Sequence, residues 1–263
     1  MANKIPVGVE LYSVRKSLAA DLEGTLEAVR GFGYTAVEFA SNPEQMDAKR
    51  IVAALNYSDL VCPSWHCPYA LLTGDDDTLK RTAEFMCEVG CKYPVMPGIP
   101  HEWLESDEAV KVTAEKMNAL IEKLRPYGIR TGYHNHNWEF EKLASGKTKW
   151  SALREATVPE FLMQLDTGNA LNGGADVNAE LFAAEGRSNV VHLKPFSLEK
   201  KYDTQIGNPE DSIDYKSILE FCKTKGNTEY YIIEYESTAL YSSDMEGVRW
   251  ALLALKEKFG DLL

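Results

Sequence analysis

SDEAVKVTAEKMNALIEKLRPYGIRTGYHNH, residues 106–136, holds one complete helix–strand unit, and its reading decides how the rest of the chain is parsed. Ser106 stands where a helix N-cap is needed, since its hydroxyl can accept from the free N–H groups of a first turn. Val110, Ala114, Met117, Leu120, Ile121 and Leu124 then recur at three- and four-residue spacings, which puts apolar side chains along one helical face. Pro126 and Gly128 close the segment. The period then changes, because IRTGYHNH (129–136) is a short run of strand-forming residues that ends in imidazoles and amides.

Working outward, the same alternation of short run and longer amphipathic segment fills the chain. The other candidate strands are VGVELYS (7–13), AVEFA (36–40), VCPSWH (61–66), YPVMPG (93–98), FLMQLD (161–166), VVHLKP (190–195) and YYIIEYE (230–236). Gly, Pro, Asn or Asp bounds each of them. Eight strand–helix units in 263 residues predict a (β/α)8 TIM barrel, which typically needs about 250 residues. No linker or low-complexity tract divides the chain, so one domain over 1–263 is expected; a doubly wound open sheet is the alternative that the strand count disfavours. In both architectures catalytic residues gather at the C-terminal ends of strands.

Composition narrows the partners. Hydrophobic residues make up 44% of the chain, enough for a substantial core. Forty acidic residues against 28 basic ones give a net charge of −12, which repels phosphate backbones and anionic lipid surfaces; neither nucleic acid nor membrane is an expected partner. Five cysteines without a C-x-x-C pair read as reduced thiols of a cytoplasmic protein. The opening MANKIPVGVELYS has no apolar signal region, and no apolar run approaches membrane-spanning length. A homo-oligomer through the exposed barrel ends is compatible with the sequence.

The unusual polar residues fall on the predicted strand ends: Glu10, Glu38, His66, His134 with His136, Asp166, His192 with Lys194, and Glu234 with Glu236, with His101 and Glu102 just past the fourth strand. Side chains two apart on a strand share a face, so each pair can turn to the barrel axis. Any one of these histidines alone reads as a satisfied loop residue. Several carboxylates and imidazoles buried around one axis are costly unless paired or holding a cation, and Asp, His and Glu from separate strands form a ligand set for a divalent ion.

Apart from His66, His101 and Glu102, these residues lie in GVELYSVR (8–15), GYTAVEFA (33–40), YHNHNWEF (133–140), LDTGN (165–169), VHLKP (191–195) and IIEYES (232–237), to which SIDY (212–215) adds a further motif. Nearly end to end, the chain resembles the sugar phosphate isomerase/epimerase family with its xylose isomerase-like barrel. That group includes inosose dehydratases, tagatose-type 3-epimerases and 3-oxo-glycoside-cleaving relatives. The resemblance implies one divalent ion, manganese first among Mn²⁺, Mg²⁺, Co²⁺, Zn²⁺ and Fe²⁺, with Asp166, His192 and Glu234 as ligands. Many relatives have Glu where this chain has His134, so the remaining ligand is either His134 or Glu139. Glu139 is favoured because three carboxylates and one imidazole suit a hard ion; His134 in that place leans towards Zn²⁺, Co²⁺ or Fe²⁺.

The activity implied is isomerisation or epimerisation of a ketose or keto-sugar by proton abstraction α to a carbonyl that the ion polarises. Glu234 or His134 would move the proton, while His66, Glu102, His136 and Lys194 would orient substrate hydroxyls. The alternative is a lyase that loses a β-substituent after the same step, dehydrating an inosose or cleaving a 3-oxo-glycoside. A third reading is a sugar-binding barrel without turnover, in which Trp65, Trp103 and Trp138 stack on the ligand. Arg15, Arg130 and Lys194 are the cations expected near the mouth and do not adjoin, so the substrate is read as an unphosphorylated sugar or glycoside.

Overall fold

All eight predicted runs contain a strand. In the computed structural model, which describes residues 4–237 and 239–263, they are β1 (Val7–Glu10), β2 (Ala36–Ala40), β3 (Val61–His66), β4 (Tyr93–Met96), β5 (Gly132–His134), β6 (Leu162–Gln164), β7 (Val190–Leu193) and β8 (Tyr230–Ile233). Eight helices follow them in turn: α1 (Leu22–Phe32), α2 (Ala48–Tyr57), α3 (Asp76–Glu88), α4 (Asp107–Leu124), α5 (Lys149–Ala156), α6 (Val177–Phe182), α7 (Tyr215–Thr224) and α8 (Asp244–Phe259).

Every strand is parallel to its neighbours, and chain order is spatial order, with β8 returning to β1. That order rules out the doubly wound sheet. The seam between β6 and β7 is narrower: His192 N donates to Leu165 O at 2.9 Å beside the Asp166–His192 bridge, so the ring is nearly closed.

The local signals act as their chemistry requires. Ser106 Oγ accepts from Ala109 N at 3.1 Å and opens α4, whose buried face includes Val110, Ala114, Met117, Leu120, Ile121 and Leu124. Each of the Val, Met, Leu and Ile side chains on that face contributes roughly 1.5–3 kcal/mol on leaving water. β2 and β3 match their expected bounds, and the other six strands stop short of the expected C-terminal ends. After β6, Asp166 leaves the ladder to cap the helix Thr167–Asn172, its Oδ1 accepting from Asn169 N at 2.6 Å.

Strand alternation produces two separate apolar cores. Val9, Phe39, Trp65, Tyr133, Met163, Val191 and Ile233 point outward and pack under the helices. Tyr93, Val95, Leu162, Val190 and Ile232 point inward and plug the lower barrel. The plug is tight enough to demand glycine opposite it, since a Cβ on Gly132 would lie 2.3 Å from Leu162 O and one on Gly8 2.9 Å from Ala36 O.

Candidate active site

One inward step above the plug the barrel becomes ionisable. Glu10, Glu38, His66, His134, Gln164, His192 and Glu234 occupy it, each two residues along its strand from an inward position of the layer below. His134, Asp166, His192 and Glu234, all buried, bring one ligand atom each within 4.8 Å of one another. His192 Nδ1 lies 2.9 Å from Glu234 Oε2 and 3.9 Å from Asp166 Oδ2, and His134 Nε2 lies 4.0 Å from Glu234 Oε2. These donors come from the ends of β5, β6, β7 and β8.

The electrostatics of the group are distinctive. Burial and the neighbouring imidazoles of His66 and His192 hold His134 well below its ordinary pKa, so it is neutral with a lone pair to offer. Burial works to raise Glu234, but Lys194 and His192 outweigh it and keep the carboxylate ionised. Lys194 Nζ reaches Glu234 Oε1 at 2.7 Å and Glu236 Oε2 at 2.6 Å. Burial, reinforced by Glu234, pushes Asp166 well above the usual carboxylate range. Its Oδ2 is buried and makes no hydrogen bond. An uncompensated carboxylate oxygen facing another carboxylate and two imidazoles is costly by itself, and a divalent cation is the ligand that would satisfy it. The donor set therefore fits a metal ion.

His66 has a different part. Its Nδ1 lies 2.7 Å from Glu10 Oε1 and its Nε2 3.0 Å from Glu38 Oε1, so both ring nitrogens are engaged. Burial opposes protonation, yet Glu38 and Glu10 raise its pKa to about 9. Glu38 is held at about 2, the facing His66 and His192 overcoming its burial. Glu10 is raised to about 7 by burial and Glu234, and its Oε2 is buried without a partner.

Above this layer opens a chamber of about 520 Å³ lined by Glu10, Tyr12, Ser41, His66, His134, His136, Asn137, Asn169, Lys194, Tyr202, Glu234 and Glu236, among others. The structure thus brings His66, His134, His136, Lys194, Asp166, His192 and Glu234 together. It does not bring in Glu139 or Glu102. Glu139 turns back into the protein on a 3₁₀ turn, Oε1 accepting from Tyr133 Oη at 2.7 Å and Oε2 from His136 N at 2.9 Å, and burial raises it to about 7. Glu102 is exposed on the 3₁₀ turn His101–Leu104 and is not a wall of the chamber. The tryptophans also face elsewhere: Trp65 stacks on Phe39, Trp103 packs against Tyr69, and Trp138 stacks on His101. Charge at the strand ends does not point to Gln164. The signal was available in FLMQLD, where an amide two residues before Asp166 shares its face inside an otherwise apolar run.

The fold has many solved counterparts. A sugar phosphate isomerase/epimerase from Parabacteroides distasonis superposes with a TM-score of 0.82 at 21% identity, over 98% of this chain and 96% of that one. D-allulose 3-epimerase from Methylomonas sp., in complex with D-allulose, gives 0.69 at 16% identity over 97% and 98%. The IolI protein with a bound zinc atom gives 0.73 at 14% identity over 98% and 99%. No curated protein matches the chain. The sequence matches the model of the xylose isomerase-like TIM barrel over residues 26–258, and the chain belongs to that family.

Proposed function

We propose that this protein is a divalent-metal-dependent isomerase or epimerase that acts on a ketose or keto-sugar by removing a proton α to a carbonyl. The observation that carries the reading is the convergence of His134, Asp166, His192 and Glu234 beneath the chamber, with Asp166 Oδ2 buried and unpartnered. His134 takes the fourth ligand position ahead of Glu139, whose two carboxylate oxygens are engaged by Tyr133 and His136. Two imidazoles and two carboxylates favour Zn²⁺, Co²⁺ or Fe²⁺ over Mn²⁺ and Mg²⁺. A divalent ion held there would polarise a substrate carbonyl and acidify the neighbouring C–H.

The chain's own groups handle the proton. Glu234 is ionised and lines the chamber, so its carboxylate is the base. Lys194, bonded to Glu234 and Glu236, holds that carboxylate in place and offers its remaining proton to a substrate oxygen. His136 sits at the wall with its ring 5.4 Å from that of His134; burial lowers its pKa, leaving a neutral imidazole for a sugar hydroxyl. Among the described residues, Lys194 is the one lysine or arginine in the lining, and two carboxylates already hold it. This favours an unphosphorylated sugar or glycoside over a sugar phosphate.

Glu10 favours a second reading, elimination. A carboxyl near pKa 7 on a residue of the chamber wall, with one unpartnered oxygen, holds a proton in about half of the molecules at neutrality and can pass it to a departing oxygen. Incubation with a panel of ketoses and 3-oxo-glycosides separates the two. Isomerised or epimerised sugar supports the first reading, a released aglycone or water supports elimination, and no turnover of any member by the metal-loaded protein counts against both.

A further inference from the structure

We propose that Glu38 and Gln164 are positioning residues that set which ring nitrogen of His192 and of His134 faces the ion, and thereby the affinity and selectivity of the centre. The inference rests on the proposed metal centre and concerns two residues that are not among its ligands.

Glu38 is an ionised carboxylate and only accepts hydrogen bonds. Its Oε1 lies 2.7 Å from His192 Nε2, so that nitrogen carries a proton. Its Oε2 accepts from Gln164 Nε2 at 2.8 Å. This contact fixes the amide, because only the NH₂ end of Gln164 can face a carboxylate. The carbonyl end is therefore turned to the histidines: Gln164 Oε1 lies 3.1 Å from His134 Nδ1 and 2.9 Å from His66 Nε2. A carbonyl accepts, so His134 carries its proton on Nδ1.

Both ligand rings are set by this relay. His134 is left with Nε2 as its lone-pair nitrogen, the atom 4.0 Å from Glu234 Oε2, and His192 is left with Nδ1 to face Glu234 and Asp166. One buried carboxylate, acting directly on one ring and through one amide on the other, aims both imidazoles at the same point. A carboxylate or carbonyl behind a ligand imidazole orients the ring and raises its basicity, and losing it typically weakens metal binding by about 10–100-fold. The loss should fall hardest on ions that rely on imidazole nitrogen, Zn²⁺ and Co²⁺, and least on Mn²⁺, which is content with carboxylate oxygen.

The test is metal affinity of folded protein, free of any assumption about substrate. Co²⁺ is titrated into wild type, Glu38→Gln and Gln164→Met, with binding followed by its visible absorption, and Zn²⁺ and Mn²⁺ affinities are obtained by competition. Thermal unfolding confirms that each variant is folded. Gln164→Met nearly keeps the side-chain volume, so it carries the test alone should Glu38→Gln fail to fold. The expected result is a 10–100-fold rise in Kd for Co²⁺ and Zn²⁺, a smaller rise for Mn²⁺, and an altered Co²⁺ spectrum. The double variant should lose less than the product of the two single effects, because both act through one relay. Wild-type affinity in folded Gln164→Met, or an equal loss for all three ions, overturns the inference while leaving the metal centre standing. A wild-type chain that takes up no divalent ion overturns the proposed function, and this inference with it.

Discussion

Two residues of strand separate the apolar plug of the barrel from its ionisable layer: Gly132 from His134, Leu162 from Gln164, Val190 from His192, and Ile232 from Glu234. The same alternation builds both layers, yet they answer to different physics. The plug is stabilised by contact and removal from water, and glycine fills it where no Cβ fits. The ionisable layer is stable only while each charge finds a partner, and an incomplete pairing there is expensive. Where the layers differ, residues chosen for packing give way to residues chosen for binding, and substitutions should divide the same way.

The largest expected effect breaks the upper layer alone. Asp166→Ala and His192→Ala should each abolish stoichiometric metal binding in a protein that still folds, measured by metal content after dialysis and by circular dichroism. Normal metal content in both variants would contradict the ligand assignment. Glu234→Gln should come next, losing turnover by about 100-fold or more because the variant lacks an ionised carboxylate that is both a metal ligand and the group that takes the proton.

The reciprocal break is in the plug. Ile232→Ala should cost about 2–5 kcal/mol of stability, read from denaturant unfolding, because it opens a cavity under the active layer. Metal stoichiometry in the folded fraction should stay at the wild-type value. A change in metal content larger than the change in stability would show that the two layers are not separable.

Glu139→Gln sharpens the comparison within one short stretch, because Glu139 and His134 are five residues apart in YHNHNWEF and only His134 reaches the cluster. The variant should keep its metal. Burial raises the Glu139 carboxyl from 4.5 to about 7, so the folded state binds this proton more tightly than the unfolded chain does. Its contribution is full below pH 4.5 and is lost as pH rises towards 7, about 3 kcal/mol in all at roughly 1.4 kcal/mol per unit. Unfolding measured between pH 5 and 8 should show that slope in wild type and a reduced slope in Glu139→Gln. Loss of metal by this variant would instead make Glu139 the ligand.

How legible these features were in the sequence depends on the range of the forces that create them. The helix at 106–128 and the eight strands were readable because apolar periodicity and capping are local: Ser106, Val110 and Leu124 behave as their spacing requires. Asp166, His192 and Glu234 stood out because charge at a strand end has few other uses. The choice between His134 and Glu139 is local in sequence but is not carried by apolar periodicity. It depends on β5 ending at His134 and on a 3₁₀ turn that carries Glu139 back to the hydroxyl of Tyr133, six residues earlier. Gln164 was harder still, since a neutral amide in an apolar run gains its meaning only when Glu38, 126 residues away in sequence, is placed beside it.

The most direct measurement of the central claim is solvent exchange at the substrate C–H. A responsive ketose or keto-sugar is incubated in D₂O with chelated protein, with protein reloaded with Zn²⁺ or Co²⁺, and with Glu234→Gln given the same ion and its metal content measured alongside, and deuterium is followed in recovered substrate and product. The reloaded wild type should give α-deuterium, and the chelated protein and the variant should give none. Turnover by chelated protein, or product formed in D₂O that carries neither α-deuterium nor the mark of an eliminated group, would contradict proton abstraction at a metal-assisted carbonyl.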